Sequence, residues 1–282
     1  MAAVARYALT IDGLRTPCLV AGAGTEAAVF VHGNPGAGED WRALVAAAGD
    51  FMLAVAPDMP GFGKADKPAE FNYTVEGYAR HLDALLQTLC VQRAHLVLHD
   101  FGGPWGLAWA AAHPERVASI TLINTGVLRG YRWHFLARIW RTPWLGEFFQ
   151  ATTSRTGFRL LLKLGNPRGL PADFADRMFN DYDAGTKRAV LSLYRATSDI
   201  DGYSNAITAA LLPHRLPALV IWGQADLFLP WRFAAQQRET FPEARIQLLP
   251  DSGHFPYADN PDAVAAALLP FLREHSAASS LA

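Results

Sequence analysis

Three residues in a fixed chain order hold the first legible chemistry. Asp100 stands in His99-Asp100-Phe101-Gly102-Gly103, directly after the apolar run at residues 95–98 and before the helix-like stretch at residues 105–112. Glycines beyond such a residue permit a sharp strand-to-helix turn, which projects the side chain at the strand's C-terminal end beside the next backbone N–H. That is a position for a nucleophile, and the competing reading is an aspartate that caps the following helix. Trp222-Gly223-Gln224-Ala225-Asp226 ends a second expected buried strand, whose apolar run is 218–222, and His254, in Ser252-Gly253-His254-Phe255, follows a third expected strand at 245–249. The order is nucleophile, acid, histidine. With Asp226 orienting its imidazole, His254 becomes a general base for water, and Asp100 becomes a carboxylate that attacks carbon and carries a transient ester. His32-Gly33-Asn34-Pro35-Gly36 closes one more apolar run at 27–32, so the backbone N–H groups of Asn34 and Phe101 form the expected oxyanion hole.

The elements that must place these groups read as an α/β fold. Short continuous apolar runs at 27–32, 52–57, 95–98, 118–123 and 218–222 are the pattern of strands buried on both faces. Between them lie helical stretches, clearest at 74–90, where Thr74 is a candidate N-cap and Tyr78, Leu82, Leu85, Leu86 and Leu89 share one face. The expectation is a mostly parallel sheet with helices on both faces. Residues 6–11 and 15–20 flank Asp12-Gly13, a two-residue hairpin signal that adds antiparallel strands at one edge. Residues 128–213 contain no buried-strand run but many aromatic and basic residues, and read as an inserted helical lid over the core formed by 1–127 and 214–282. Residues 276–282 carry no pattern and are expected to fray.

Composition excludes several classes. The 282 residues are 51% hydrophobic and 18% charged, enough for a large core and too apolar for a disordered chain. Lys+Arg 25 against Asp+Glu 26 leaves no basic excess to attract nucleic acid or an anionic membrane, so the expected partner is a small molecule. Cys18 and Cys90 make no disulfide framework, and the first ten residues lack a signal-peptide pattern, which together point to a soluble, cytoplasmic protein, monomer or homodimer. No complete dinucleotide fingerprint, P-loop or H-E-x-x-H occurs, so neither a cofactor nor a metal is expected.

HGNP at 32–35, DMPGFGKADKP at 58–68, HDFGG at 99–103, WGQAD at 222–226 and SGHF at 252–255 together resemble the epoxide hydrolase and haloalkane dehalogenase branch of the α/β-hydrolase superfamily, across nearly the whole chain. The resemblance implies an alkyl ester on Asp100, formed as an epoxide oxygen or a halide leaves and hydrolysed by water that His254 activates. It also implies what must face the leaving group. Haloalkane dehalogenases hold halide with an Asn in the HGNP loop and a Trp N–H after the nucleophile, whereas this chain has Asn34 but Phe101, which offers no N–H. The arginines that fluoroacetate dehalogenases place after the nucleophile are absent between Asp100 and Glu115. Asn124 stands where some dehalogenases place their acid, but an amide carries no charge, so Asp226 keeps that role. Epoxide hydrolases protonate the leaving oxygen from lid residues. Tyr194, followed by Arg195, resembles one such tyrosine, and Trp133 is the second donor, with Tyr131 and His134 as rivals. Tyr131, His134, Phe135, Phe228 and Phe255 are expected to line a pocket for a hydrophobic substrate, aromatic or polycyclic. The expected activity is therefore epoxide hydrolysis to a vicinal diol. Haloalkane dehalogenation by the same residues is the alternative, and a non-catalytic binder of this fold is disfavoured by the intact trio.

Overall fold

Asp12 and Gly13 turn the chain with φ of 49° and 79°, and strand β1 (Ala5–Ile11) folds back along β2 (Leu14–Ala21) with Ile11 opposite Leu14. The remaining strands are β3 (Glu26–Val31), β4 (Leu53–Pro57), β5 (Arg93–His99), β6 (Val117–Ile123), β7 (Ala218–Gly223) and β8 (Arg245–Leu249). They form one eight-stranded sheet in the order β1-β2-β4-β3-β5-β6-β7-β8, in a computed structural model that describes residues 1–276. The expected hairpin forms at one edge of the sheet. β2 runs antiparallel to both β1 and β4, so β1 points the same way as the parallel set and β2 alone opposes it. From β4 to β8 every pairing is parallel.

Every residue of β4, β6 and β7 is buried, as the unbroken apolar runs require of strands covered on two faces. The helices are α1 (Arg42–Ala48), α2 (Val75–Thr88), α3 (Gly102–Ala112), α4 (Phe135–Arg141), α5 (Leu145–Thr152), α6 (Arg155–Gly165), α7 (Ala172–Asp181), α8 (Ala184–Ala196), α9 (Ile200–Leu211), α10 (Arg232–Gln236), α11 (Pro256–Asp259) and α12 (Pro261–His275). The Thr74 hydroxyl caps α2 by accepting from Gly77 N at 3.1 Å. α2 packs on α3 through Tyr78 stacked on Trp105, with ring centroids 3.9 Å apart. A Cβ at Gly106 would stand 2.3 Å from the Leu98 side chain, so glycine lets α3 lie directly against β5.

Six helices, α4 to α9, fall between β6 and β7, where the sequence shows no strand pattern. Four have side-chain caps, from His134, Ser154, Asp183 and Asp199. This segment is tied to the core by ion pairs of Arg177 with Asp40 at 2.6 Å, Asp181 with Lys64 at 2.6 Å and Asp183 with Lys67 at 2.7 Å. The expected fraying fails at Ser276, which is buried and donates its hydroxyl to Arg273 O at 2.9 Å; residues 277–282 lie outside the described residues. Among the described residues no helix is long and apolar enough to cross a membrane.

Candidate active site

Asp100 follows the last residue of β5 and adopts φ of +48°, a left-handed conformation that costs about 1–3 kcal/mol for a residue with a side chain. Its surroundings hold it there. Thr125 Oγ1 donates to Asp100 O at 2.6 Å, and Gly103 N donates to the same carbonyl at 2.9 Å. Two close approaches demand glycine: a Cβ at Gly33 would lie 2.3 Å from Asp100 Oδ1, and one at Gly103 would lie 1.9 Å from Thr125 Oγ1. Asn34 N donates to Asp100 Oδ1 at 2.7 Å, and Phe101 N also donates to this carboxylate. The expected oxyanion donors thus already grip the carboxylate. His32 steadies their loop, with Nε2 accepting from Met59 N at 2.9 Å and Nδ1 donating to Gly33 O at 2.8 Å.

Asp226 is satisfied on both oxygens. Oδ2 accepts from His254 Nδ1 at 2.8 Å and from Asn124 Nδ2 at 2.7 Å, while Oδ1 accepts from Phe228 N at 2.7 Å and Leu229 N at 3.1 Å. His254 Nε2 then faces Asp100 Oδ2 at 3.7 Å. The structure therefore brings Asp100, Asp226 and His254 together from the ends of β5, β7 and β8. Burial by itself pushes the imidazole pKa down, but the charge and hydrogen bond of Asp226, with Asp100 behind, outweigh it and leave His254 raised. Burial pushes the Asp100 carboxyl up, and His254 and the two backbone N–H groups only partly offset this.

Asn124 and Thr125 are the supports that sequence reasoning missed. Asn124, at φ of +44°, donates to Asp226 and accepts from Gly223 N at 2.9 Å, so it orients the acid instead of replacing it. The signal was present in a polar residue ending the apolar run of β6. His99 is another: its Nε2 donates to His254 O at 2.8 Å, while the Tyr257 hydroxyl donates to its Nδ1 at 3.3 Å.

The inserted helices place their aromatic residues unevenly around this centre. Tyr194, from α8, is buried, lies edge-on to Phe101 with centroids 4.9 Å apart, and has a hydroxyl that accepts from Asn34 Nδ2 at 3.5 Å. Burial, reinforced by the nearby Asp100 charge, holds its phenol proton on well above the ordinary range. Trp133 lies nearly parallel to Phe101 at 6.3 Å and 5.3 Å from Tyr194. His134 caps α4, with Nδ1 accepting from Ala137 N at 3.2 Å, so the neutral ring carries its proton on Nε2; burial brings its pKa down to about 4. The Tyr131 hydroxyl donates to Phe228 O at 3.0 Å and is spent there. Phe228 and Phe255 pack against His254 at 5.2 and 4.8 Å. Phe135 is a correction. It opens α4, is 54% exposed and borders neither cavity at Asp100, because Leu136 and Ala137 take the inward positions of that turn.

Two cavities of about 240 and 60 Å³ both border Asp100, His134, Tyr194 and Phe228. The arrangement can deliver a carboxylate to a carbon atom held in an apolar space and a base to the carboxyl carbon.

Over residues 28–261 the chain matches the alpha/beta hydrolase fold family. It is 29% identical over 275 residues to a cis-3-alkyl-4-alkyloxetan-2-one decarboxylase of Xanthomonas campestris, covering 89% of each chain. It is 28% identical over 265 residues to haloalkane dehalogenase 2 of Mycobacterium bovis, covering 86% of each. In three dimensions it is similar to the epoxide hydrolase CorEH, with a TM-score of 0.82 over 96% of this chain and 99% of that one, at 19% identity, a likeness of fold.

Proposed function

The chain belongs to the alpha/beta hydrolase fold family, and on that premise we propose that it opens an apolar epoxide to a vicinal diol through an ester on Asp100. Residues 1–127 and 214–282 form the core in this reading, and 128–213 are the lid that keeps bulk water from the ester. Asp100 Oδ2 attacks a ring carbon from the side opposite the C–O bond, which breaks, and its electron pair goes to the ring oxygen. Tyr194 gives that oxygen its phenol proton. His254 next takes a proton from water, which attacks the carboxyl carbon while Asn34 N and Phe101 N stabilise the negative charge developing on Oδ1. The ester C–O bond breaks, the diol leaves with the original Oδ2, the water oxygen stays on Asp100, and the net proton released restores Tyr194.

The observation that carries this reading is the Tyr194 hydroxyl. It accepts from Asn34, lies in the walls of both cavities and keeps its own proton for a leaving oxygen. His134, whose ring proton sits on Nε2, is the better second donor, since Tyr131 is spent on Phe228 O; Trp133 packs beside Tyr194 at the mouth. A halide has no such use for a phenol, and Phe101 supplies no N–H for it. Tyr194→Phe keeps the ring packing and removes the proton, so epoxide opening is expected to fall by about 10²–10⁴ in kcat/KM with thermal stability retained. Unchanged turnover on the best epoxide would remove Tyr194 from the mechanism.

A second reading rests on the relative named as an oxetan-2-one decarboxylase, whose similarity spans 89% of both chains. Here the ring presented to Asp100 has four members and the products are an alkene and carbon dioxide. Incubation with a cis-3,4-dialkyl oxetan-2-one and gas chromatography of the headspace separates the two: alkene release without diol formation from any epoxide favours the second.

A further inference from the structure

The two cavities differ in size, openness and wall. The inner one, about 60 Å³, is enclosed by Leu136, Trp140, Phe149, Phe158, Leu161 and Leu162 from α4, α5 and α6. At its far end the Thr153 hydroxyl donates to Phe149 O at 2.8 Å, so the polar groups of this cavity lie on the side of Asn34, Asp100 and His254. The outer one, about 240 Å³, runs past Val75, Pro104, Leu128, Trp133, Ile200 and Tyr203, and ends among the exposed carboxylates Glu76 and Asp199. Asp100 is common to both. A ring carbon held for attack by Asp100 therefore has apolar space on two sides, and a substrate with one substituent leaves one of them unfilled.

We propose that the substrate is an internal ring, substituted on both carbons, with a short alkyl arm in the inner cavity and a larger arm in the outer one. The volumes decide the arms. An apolar cavity of about 150 Å³ takes benzene, so 60 Å³ takes an arm of about two carbons and refuses an aryl ring, while 240 Å³ takes one. Leu161, half-buried on α6, sets the length of the inner arm. This assignment rests on the epoxide reading above.

The test is a kinetic series in which the outer arm is always phenyl: styrene oxide, then 1-phenyl-1,2-epoxypropane, 1-phenyl-1,2-epoxybutane, 1-phenyl-1,2-epoxypentane and stilbene oxide, these four as cis and trans isomers. Each buried methylene is expected to raise kcat/KM by about fourfold up to about two carbons, and stilbene oxide is expected to fall at least about tenfold below the optimum. Leu161→Ala is expected to move the optimum outward by about one carbon. If that variant does not fold, the wild-type series decides alone. A flat series, or styrene or stilbene oxide as the best substrate, overturns the two-arm assignment while leaving the epoxide reading intact. Absence of diol from every member overturns the epoxide reading and this inference with it.

Discussion

The catalytic groups are held by contacts of very different range, and this decides which of them a sequence reveals. Asp100, Asp226 and His254 were legible because each stands in a loop shortly after an expected strand and the three stand in one order. Asn124 and Thr125 were not, because their partners Asp226 and Asp100 come close only once β6 lies between β5 and β7. The same geometry fixes a titration. Asp226 and Asp100 together overcome the burial that would lower the His254 pKa, so in the free enzyme its midpoint is expected above the ordinary 6.5. In the proposed mechanism the neutral ring is the base, so activity dependent on it is expected to be lost as pH falls through that midpoint. Asp100→Asn removes one of the two negative charges, as ester formation does, and NMR titration of the His254 imidazole is expected to give a lower midpoint in that variant. An unchanged or higher midpoint would mean that Asp100 does not support the imidazolium.

Turns and helix phases decide how the elements present these residues. The Asp12-Gly13 turn was visible in the sequence, but the direction of β1 relative to the parallel strands depended on where β2 docks, which no local signal records. Phe135 went astray for a similar reason. Aromatic density marked the inserted helices, yet only the capping of α4 by His134 fixes which of its rings turn outward. The loop after β3 shows the tightest constraint of this kind. Gly33→Ala places a Cβ 2.3 Å from Asp100 Oδ1 and 2.7 Å from Phe101 N, so the donors to the carboxylate must separate. The expected result is a loss of about 10²–10³ in the single-turnover rate of ester hydrolysis, the step in which the oxyanion forms, with circular dichroism unchanged. A rate within threefold of wild type would show that this loop does not set the oxyanion geometry.

The whole molecule is a mostly parallel sheet with six helices, α4 to α9, inserted between β6 and β7, whose residues border both cavities at Asp100. The join is electrostatic in part, and none of its pairs was legible in sequence, because Asp40 and Arg177 meet only after both segments have folded. The Asp40 side chain is 0% exposed, and burial raises its pKa even with Arg177 beside it. Arg177→Met keeps much of the stem and removes the countercharge, leaving a buried carboxylate that must ionise alone. A loss on the order of 3 kcal/mol is expected at pH 8. Because the folded-state pKa of Asp40 is raised, the penalty begins above its unfolded value and grows as pH rises toward the folded one, so the Tm gap to wild type is expected to be wider at pH 8 than at pH 5. An equal gap at both would assign the loss to packing on Phe174, over which Arg177 lies at 5.0 Å. The central claim, a covalent ester on Asp100, is read most directly from the mass of the intact protein. His254→Gln removes the base and is incubated with an apolar aryl epoxide and, in parallel, with a primary haloalkane, followed by peptide mapping. The account expects an added mass equal to that of the epoxide, localised to Asp100. No adduct, an adduct on another residue, or an alkyl adduct with halide release from the haloalkane alone would contradict it.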